Sequence, residues 1–154
     1  MARSDFAFHY RFRVRWSETD AQGVVFNARY LDYADVAITE YWRAVKFREY
    51  ADGAPLEFHV KKATVTLFAP IKPDELIEVM ARTIATGRTS MTQLVEIHGV
   101  TEDGSDDLRA TVDLVSVHVD LDVHRPIPLP DWVQDVFVSF DSQAGSAPLE
   151  LIEG

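Results

Sequence analysis

A chain of 154 residues is the size of one domain, and its hydrophobic fraction of 47% supports a folded core rather than disorder. With 15 basic and 25 acidic residues the formal net charge is −10, which argues against general nucleic-acid binding. No cysteine is present, so disulfides, thiolate metal sites and cysteine nucleophiles are excluded, and no apolar run reaches the roughly 20 residues of a membrane helix.

The opening residues, MARSDFAFHYRF, lack the apolar block of a signal peptide, so a soluble cytoplasmic protein is the expectation. Phe8, Tyr10, Phe12, Val14 and Trp16 alternate with His9, Arg11, Arg13 and Arg15, predicting a strand with a buried aromatic face and a basic face. Next, Tyr30, Ala34, Ala37, Ile38, Tyr41 and Val45 recur at helical spacing. Leu31 and Trp42 widen the apolar face, predicting a helix over 28–46 buried on several sides. Asn27 is its expected N-cap, and Gly53 and Pro55 break the pattern beyond it.

Four strands are predicted after the helix, over 58–69, 75–86, 90–100 and 108–121. A phase shift at Lys61-Lys62 predicts a bulge in the first of them. Short links favour antiparallel pairing, so the class is α+β, one sheet packed on one long helix. A proline-rich turn and a short amphipathic helix follow in RPIPLPDWVQDVF, and the last fifteen or so residues read as a loose tail. A single domain is expected over residues 1–140 with a tail over 141–154.

The chemistry is expected to centre on the turn between the first strand and the helix. Glu18, Asp20, Gln22 and Gly23 fit the early places of a calcium loop, but its twelfth place is Arg29, where a bidentate glutamate is needed. The five histidines lie singly on different elements and make no metal-binding pair; no metal or cofactor is expected. No nucleophile elbow, Walker loop or dinucleotide fingerprint is present. A carboxylate is therefore the most credible catalyst. Taken alone, Asp20 also reads as an ordinary turn-former and Glu18 as a solvated turn residue.

The segment WSETDAQGVVFNARYLDYAD resembles the active-site segment of hotdog-fold acyl-CoA thioesterases of the 4-hydroxybenzoyl-CoA thioesterase type. The likeness continues through FAPIKPDEL, TGRTSMTQLVEIH and HRPIPLPDWV, and covers about residues 8–137. Three positions depart from the family pattern: Glu18 replaces an aspartate, Asn27 a histidine or tyrosine, and Pro73-Asp74 a glycine-aspartate pair.

The resemblance implies a curved antiparallel sheet of about five strands wrapped around the long helix, and a homodimer or homotetramer with sites at the subunit interface. It implies hydrolysis of an acyl- or aroyl-CoA, with Asp20 as nucleophile or general base. Amides at the helix start near Asn27 would serve as oxyanion donors. Gly23 would let the backbone turn closely beside the acyl group. Arg88, with Lys61, Lys62 and Arg82 behind it, is the candidate for the coenzyme A phosphates. Asp35 reads as a helix-fixing group. Alternatives are an acyl-carrier-protein thioesterase and a non-catalytic acyl-CoA binding protein; neither a nucleic acid nor a membrane is an expected partner.

Overall fold

Five antiparallel strands form a curved sheet in the order β1-β3-β4-β5-β2: β1 (Phe8–Arg13), β2 (Glu57–Leu67), β3 (Leu76–Thr86), β4 (Ser90–Gly99) and β5 (Leu108–Asp120). This computed structural model describes residues 1–144 and the backbone of 150–151. Two short strands extend the sheet. β6 (Arg125–Pro126) pairs with β5, and β7 (Glu150–Leu151) runs parallel to β3 beyond the end of β1. The helix α1 (Arg29–Val45) lies against the inner face, followed by α2 (Phe47–Ala51) and α3 (Asp131–Asp141). Lys46 separates α1 from α2 in the left-handed conformation, φ 65°. No helix among the described residues is long and apolar enough to cross a membrane.

The core is the contact between α1 and this inner face. Tyr30, Tyr33, Ala34, Ala37, Tyr41 and Val45 of α1 are buried against Ile77, Val79, Ala81, Val95, Ile97, Ala110 and Val112 of the central strands. Their i, i+3, i+4 spacing makes one stripe. Within the single chain α1 is buried on that stripe and not on several sides, because Leu31, Asp32, Asp35, Thr39 and Arg43 are exposed. The first strand is also shorter than its alternation predicts. Val14 is still tethered by its amide to the Glu75 carbonyl (2.9 Å), but the chain then turns into a 3-10 segment, Trp16–Glu18. That turn swings Trp16 outward to 73% exposure.

The bulge in β2 falls where the phase shift predicts it. Val60 pairs with Ser116 and Lys62 with Val115, leaving Lys61 as the extra residue. The shift keeps Phe58 and Val60 before the bulge, and Ala63, Val65 and Leu67 after it, on the inner face. β2 is nonetheless mostly exposed, since it is an edge strand.

β3 and β4 are buried on both faces. On the outer face Glu78 accepts from His9 Nδ1 (3.0 Å) and Arg11 Nε (2.6 Å) and is also bonded by Arg3. Burial pushes the Glu78 carboxyl up, but these three cationic or donor partners outweigh it and hold its pKa below the ordinary value. The Arg3 amide donates to Asp106 Oδ1 at 2.9 Å, fastening the N-terminal segment over the sheet. Arg82, 5% exposed, donates to the Asp5 carbonyl at 2.6 Å. It therefore anchors the N-terminal segment and is not a surface cation awaiting a phosphate.

α3 closes the far end of α1 through a chain of hydrogen bonds. Trp42 Nε1 donates to Gln93 Oε1 (2.9 Å), and Gln93 Nε2 donates to Thr83 Oγ1 (3.0 Å). Thr83 Oγ1 lies 3.1 Å from the Tyr41 hydroxyl, which donates to the Asp141 carboxyl at 2.8 and 2.9 Å. Because Tyr41 spends its one proton on Asp141, Thr83 donates to Tyr41, and every donor in the series points toward Asp141. The Thr83 amide also donates to Asp141 Oδ2 (3.0 Å). Burial raises the Asp141 pKa from 3.8 to about 6. The domain boundary expected at residue 140 thus falls inside α3, since Asp141 is 3% exposed and held in the core. The expected tail beyond residue 144, apart from the β7 backbone, lies outside the described residues.

Candidate active site

The turn that carries Asp20 is a closed loop stitched to the start of α1. Thr19 and Val25 form an antiparallel bridge, the Asp20 amide donates to the Val24 carbonyl (2.9 Å), and the Phe26 amide donates to the Glu18 carbonyl (3.0 Å). The Gly23 amide returns to the Asp20 carbonyl (3.0 Å), making a turn with aspartate first and glycine last. Gly23 has φ +75° with open space where a Cβ would stand. Glycine is needed there for its conformation, not to relieve a clash.

Asp20 is half-buried. Its Oδ1 accepts from the Gln22 amide at 2.8 Å, which fixes the side chain in the turn. Among the described residues no protein group bonds Oδ2. Glu18 is also fixed, not free in solvent: its Oε1 accepts from the Arg15 amide (2.8 Å) and the Tyr33 hydroxyl (3.1 Å). Burial, with Glu18 beside it, pushes the Tyr33 phenol up, so it remains a donor through the neutral range.

Asn27 does not cap the helix through its side chain. A tight turn delivers the Arg29 amide to the Phe26 carbonyl (2.9 Å) and the Tyr30 amide to the Asn27 carbonyl (3.4 Å), and Ala28 becomes the N-cap, with no side-chain cap bond. Asn27 is left exposed. The amides of Asn27 and Ala28 donate to no backbone carbonyl among the described residues. This leaves two N–H groups at the positive end of a 17-residue helix, a few residues after Asp20.

The cations proposed from sequence do not gather at this end. Arg88 is exposed in the β3–β4 turn, whereas β1 and the Asp20 loop adjoin the start of β3. At about 3.3 Å per residue the 11 residues of β3 separate the two ends by roughly 33 Å. Lys61 is the bulged residue, and Lys62 shares the outer face with its pairing partner Val115. The cations that do adjoin the loop are Arg15, Arg29 and Lys72, the last brought in by the Val25 amide bonding the Ile71 carbonyl (2.8 Å). Sequence reasoning missed Lys72 because that contact joins segments 46 residues apart. Arg109 is nearby but spent on Glu75 (2.7 Å) and Asp107 (2.8 Å). Among the described residues no group of three His, Asp or Glu side chains is placed to hold a metal.

The family model described as "thioesterase-like superfamily" matches residues 14–137. The chain belongs to that superfamily. The thioesterase-like chain is 30% identical over 142 residues to the acyl-CoA thioesterase YbgC of Haemophilus influenzae, covering 86% of this chain and 96% of that one. It is 34% identical over 85 residues to the acyl-CoA thioester hydrolase YbgC of Escherichia coli, a match spanning 54% of this chain and 63% of the relative. A thioesterase of Thermus thermophilus, solved in complex with coenzyme A and zinc, superposes with a TM-score of 0.74 at 25% identity, covering 90% of this chain and 97% of that chain. The sheet curled about one long helix is the hotdog fold of this superfamily.

Proposed function

We propose that the protein hydrolyses an acyl-CoA thioester to the free acid and coenzyme A. The observation that carries this reading is a half-buried Asp20 in the loop that leads into α1, with one carboxylate oxygen and the Asn27 and Ala28 amides unengaged among the described residues. The thioester carbonyl would lie against the Asn27 and Ala28 amides, which stabilise the oxyanion as it forms. Asp20 attacks the carbonyl carbon, giving an anhydride that water cleaves, or takes the proton of an attacking water; in both routes the coenzyme A thiolate leaves. Gly23 holds the turn that aims the carboxylate.

Asp20→Asn tests the reading cleanly, because asparagine Oδ1 can still accept from the Gln22 amide and preserve the turn. The variant should lose at least about a hundredfold in kcat on acyl-CoA, while binding the substrate and folding as before. Turnover near the parent rate would return Asp20 to a structural role.

Two further parts of the reading concern assembly and the nucleotide. The long exposed edge of β2 carries backbone groups that no strand among the described residues pairs, and the exposed side chains of Val60 and Leu67, features that suit pairing with a second copy. We infer a homodimer, or a pair of dimers. Within it Arg88, far from its own Asp20, would meet coenzyme A phosphates bound at the partner's site.

A further inference from the structure

The Asp20 loop stands on the segment 70–75, and both of its limbs are bonded to that segment. On the outgoing limb the Val14 amide donates to the Glu75 carbonyl (2.9 Å), and the Asp74 amide donates to the Val14 carbonyl (3.0 Å). On the return limb the Val25 amide donates to the Ile71 carbonyl (2.8 Å), and Val25 and Ile71 are both buried. Val25 lies five residues after Asp20 and two before Asn27, so the carboxylate and the helix amides are both tied to where Ile71 sits.

Arg109 is the group that holds 70–75. The register passes over it: Ile97 pairs with Ala110 and His98 with Leu108, leaving Arg109 as the extra residue of a bulge in β5. Its guanidinium grips both ends of the segment. Nη1 donates to the Pro70 carbonyl (2.9 Å) and to Glu75 Oε1 (3.0 Å), and Nη2 lies 2.7 Å from Glu75 Oε2. From the other side Asp107 accepts from Nε (3.2 Å) and Nη2 (2.8 Å), which keeps the guanidinium from rotating. Glu75 Oε1 also accepts from the Lys72 amide (3.2 Å), bracing the turn between the two ends. Gly99 leaves the room for this packing, since a side chain there would overlap the Asp107 carboxylate and the Arg109 guanidinium.

We propose that Arg109 is a positioning residue for the hydrolysis. Held by Asp107, it fixes the segment 70–75 and so keeps the two limbs of the loop in one arrangement, with Asp20 set against the Asn27 and Ala28 amides. This rests on the thioesterase reading. Arg109 acts through the Ile71–Val25 and Glu75–Val14 bonds and needs no contact with the substrate. A displacement of the loop by about 1 Å would cost about a hundredfold in rate. Lysine cannot replace it, because one ammonium cannot span Pro70 and both carboxylates at once.

The test is a double-mutant cycle on kcat, with Arg109→Met placed in the parent and in Asp20→Asn. In the parent, kcat should fall about ten- to a hundredfold with KM held within about twofold. In Asp20→Asn the same change should have almost no further effect, because the group being positioned is already lost. An equal factor in both backgrounds, an unchanged kcat, or a loss confined to KM would overturn the proposal. Hydrogen exchange on the intact protein reads the anchoring itself. The Val14 and Val25 amides should lose protection about tenfold in Arg109→Met while the Tyr41 amide in α1 keeps its own. Equal loss at all three, or none at Val25, would overturn it as well. Where Arg109→Met does not fold, Arg109→Lys takes its place, with the same pattern expected. If the parent hydrolysed no acyl-CoA, or Asp20→Asn matched it, the proposed function would fail in its own right, and exchange at Val25 would then decide whether Arg109 anchors the loop.

Discussion

Replacing Asp141 with asparagine should change how stability depends on pH. Burial raises the folded-state pKa of Asp141 from 3.8 to about 6, so the folded chain keeps a proton that the unfolded chain has already lost. A pKa raised in this direction gives a contribution that is fully present below pH 3.8 and is lost as pH rises through about 6. At about 1.4 kcal/mol per pH unit, the whole effect is about 3 kcal/mol, of which about 2 kcal/mol falls between pH 4.5 and 7. The asparagine side chain would not titrate. It would bring a constant cost, because its NH₂ must face Tyr41 or the Thr83 amide, both of which now donate. Urea unfolding of parent and Asp141→Asn at pH 4.5, 5.5, 6.5 and 7.5 measures the difference, and subtraction removes the carboxylates that the two proteins share. The stability of the variant relative to the parent should improve by about 2 kcal/mol from the lowest to the highest of these values. A difference independent of pH would show that Asp141 titrates alike in the folded and unfolded chain, and would refute the reasoning.

The position of the cations leads to opposite expectations for Arg88 and Lys72. Arg88→Ala should raise KM for acyl-CoA, but not for a short thioester lacking the nucleotide, only if a second copy brings it to the site; Lys72→Ala should do so in any assembly, and both effects should shrink with salt. Equal losses on both substrates would assign either residue to the fold or the chemistry instead. Light scattering in dilute solution should report a dimer or tetramer, and an active monomer would exclude a role for Arg88 at another copy's site.

Much of the fold was legible because its strands and helix bury one face each. The burial of Phe8, Phe12 and Val14, the helical spacing from Tyr30 to Val45 and the phase shift at Lys61-Lys62 are direct images of that one-sided burial, although Tyr10, expected on the same buried face, is 38% exposed. Legibility failed where a second layer covers the other face. Glu78 and Arg82 look like solvent-facing polar residues of a half-buried strand, yet the N-terminal segment lies over them, and local periodicity does not record which distant segment does so. Asp141 was hidden in the same way, since its meaning comes from Tyr41 and Thr83, 100 and 58 residues away. At the candidate site local turn chemistry marked the loop, and the family resemblance singled out Asp20 and Gly23 within it. The exposure of Asn27 and the approach of Lys72 depend on how the loop is tied to the 3-10 turn and to Ile71.

The extra residue in β2 makes the reading frame of that strand a structural quantity. Side chains alternate with a period of two, and the bulge is where that count changes: Phe58 and Val60 point inward on even numbers, Ala63, Val65 and Leu67 on odd ones. Removing Lys61 would join Val60 directly to Lys62 with their pairings to Ser116 and Val115 kept, and every side chain of β2 would stay on its present face. Removing Thr64 instead, with the pairing before it retained, would turn Val65 and Leu67 to the outer face and Thr66 toward α1. A one-residue deletion is therefore tolerable at the bulge, whereas the same deletion in the regular part of the strand would be felt along the inner edge beyond it.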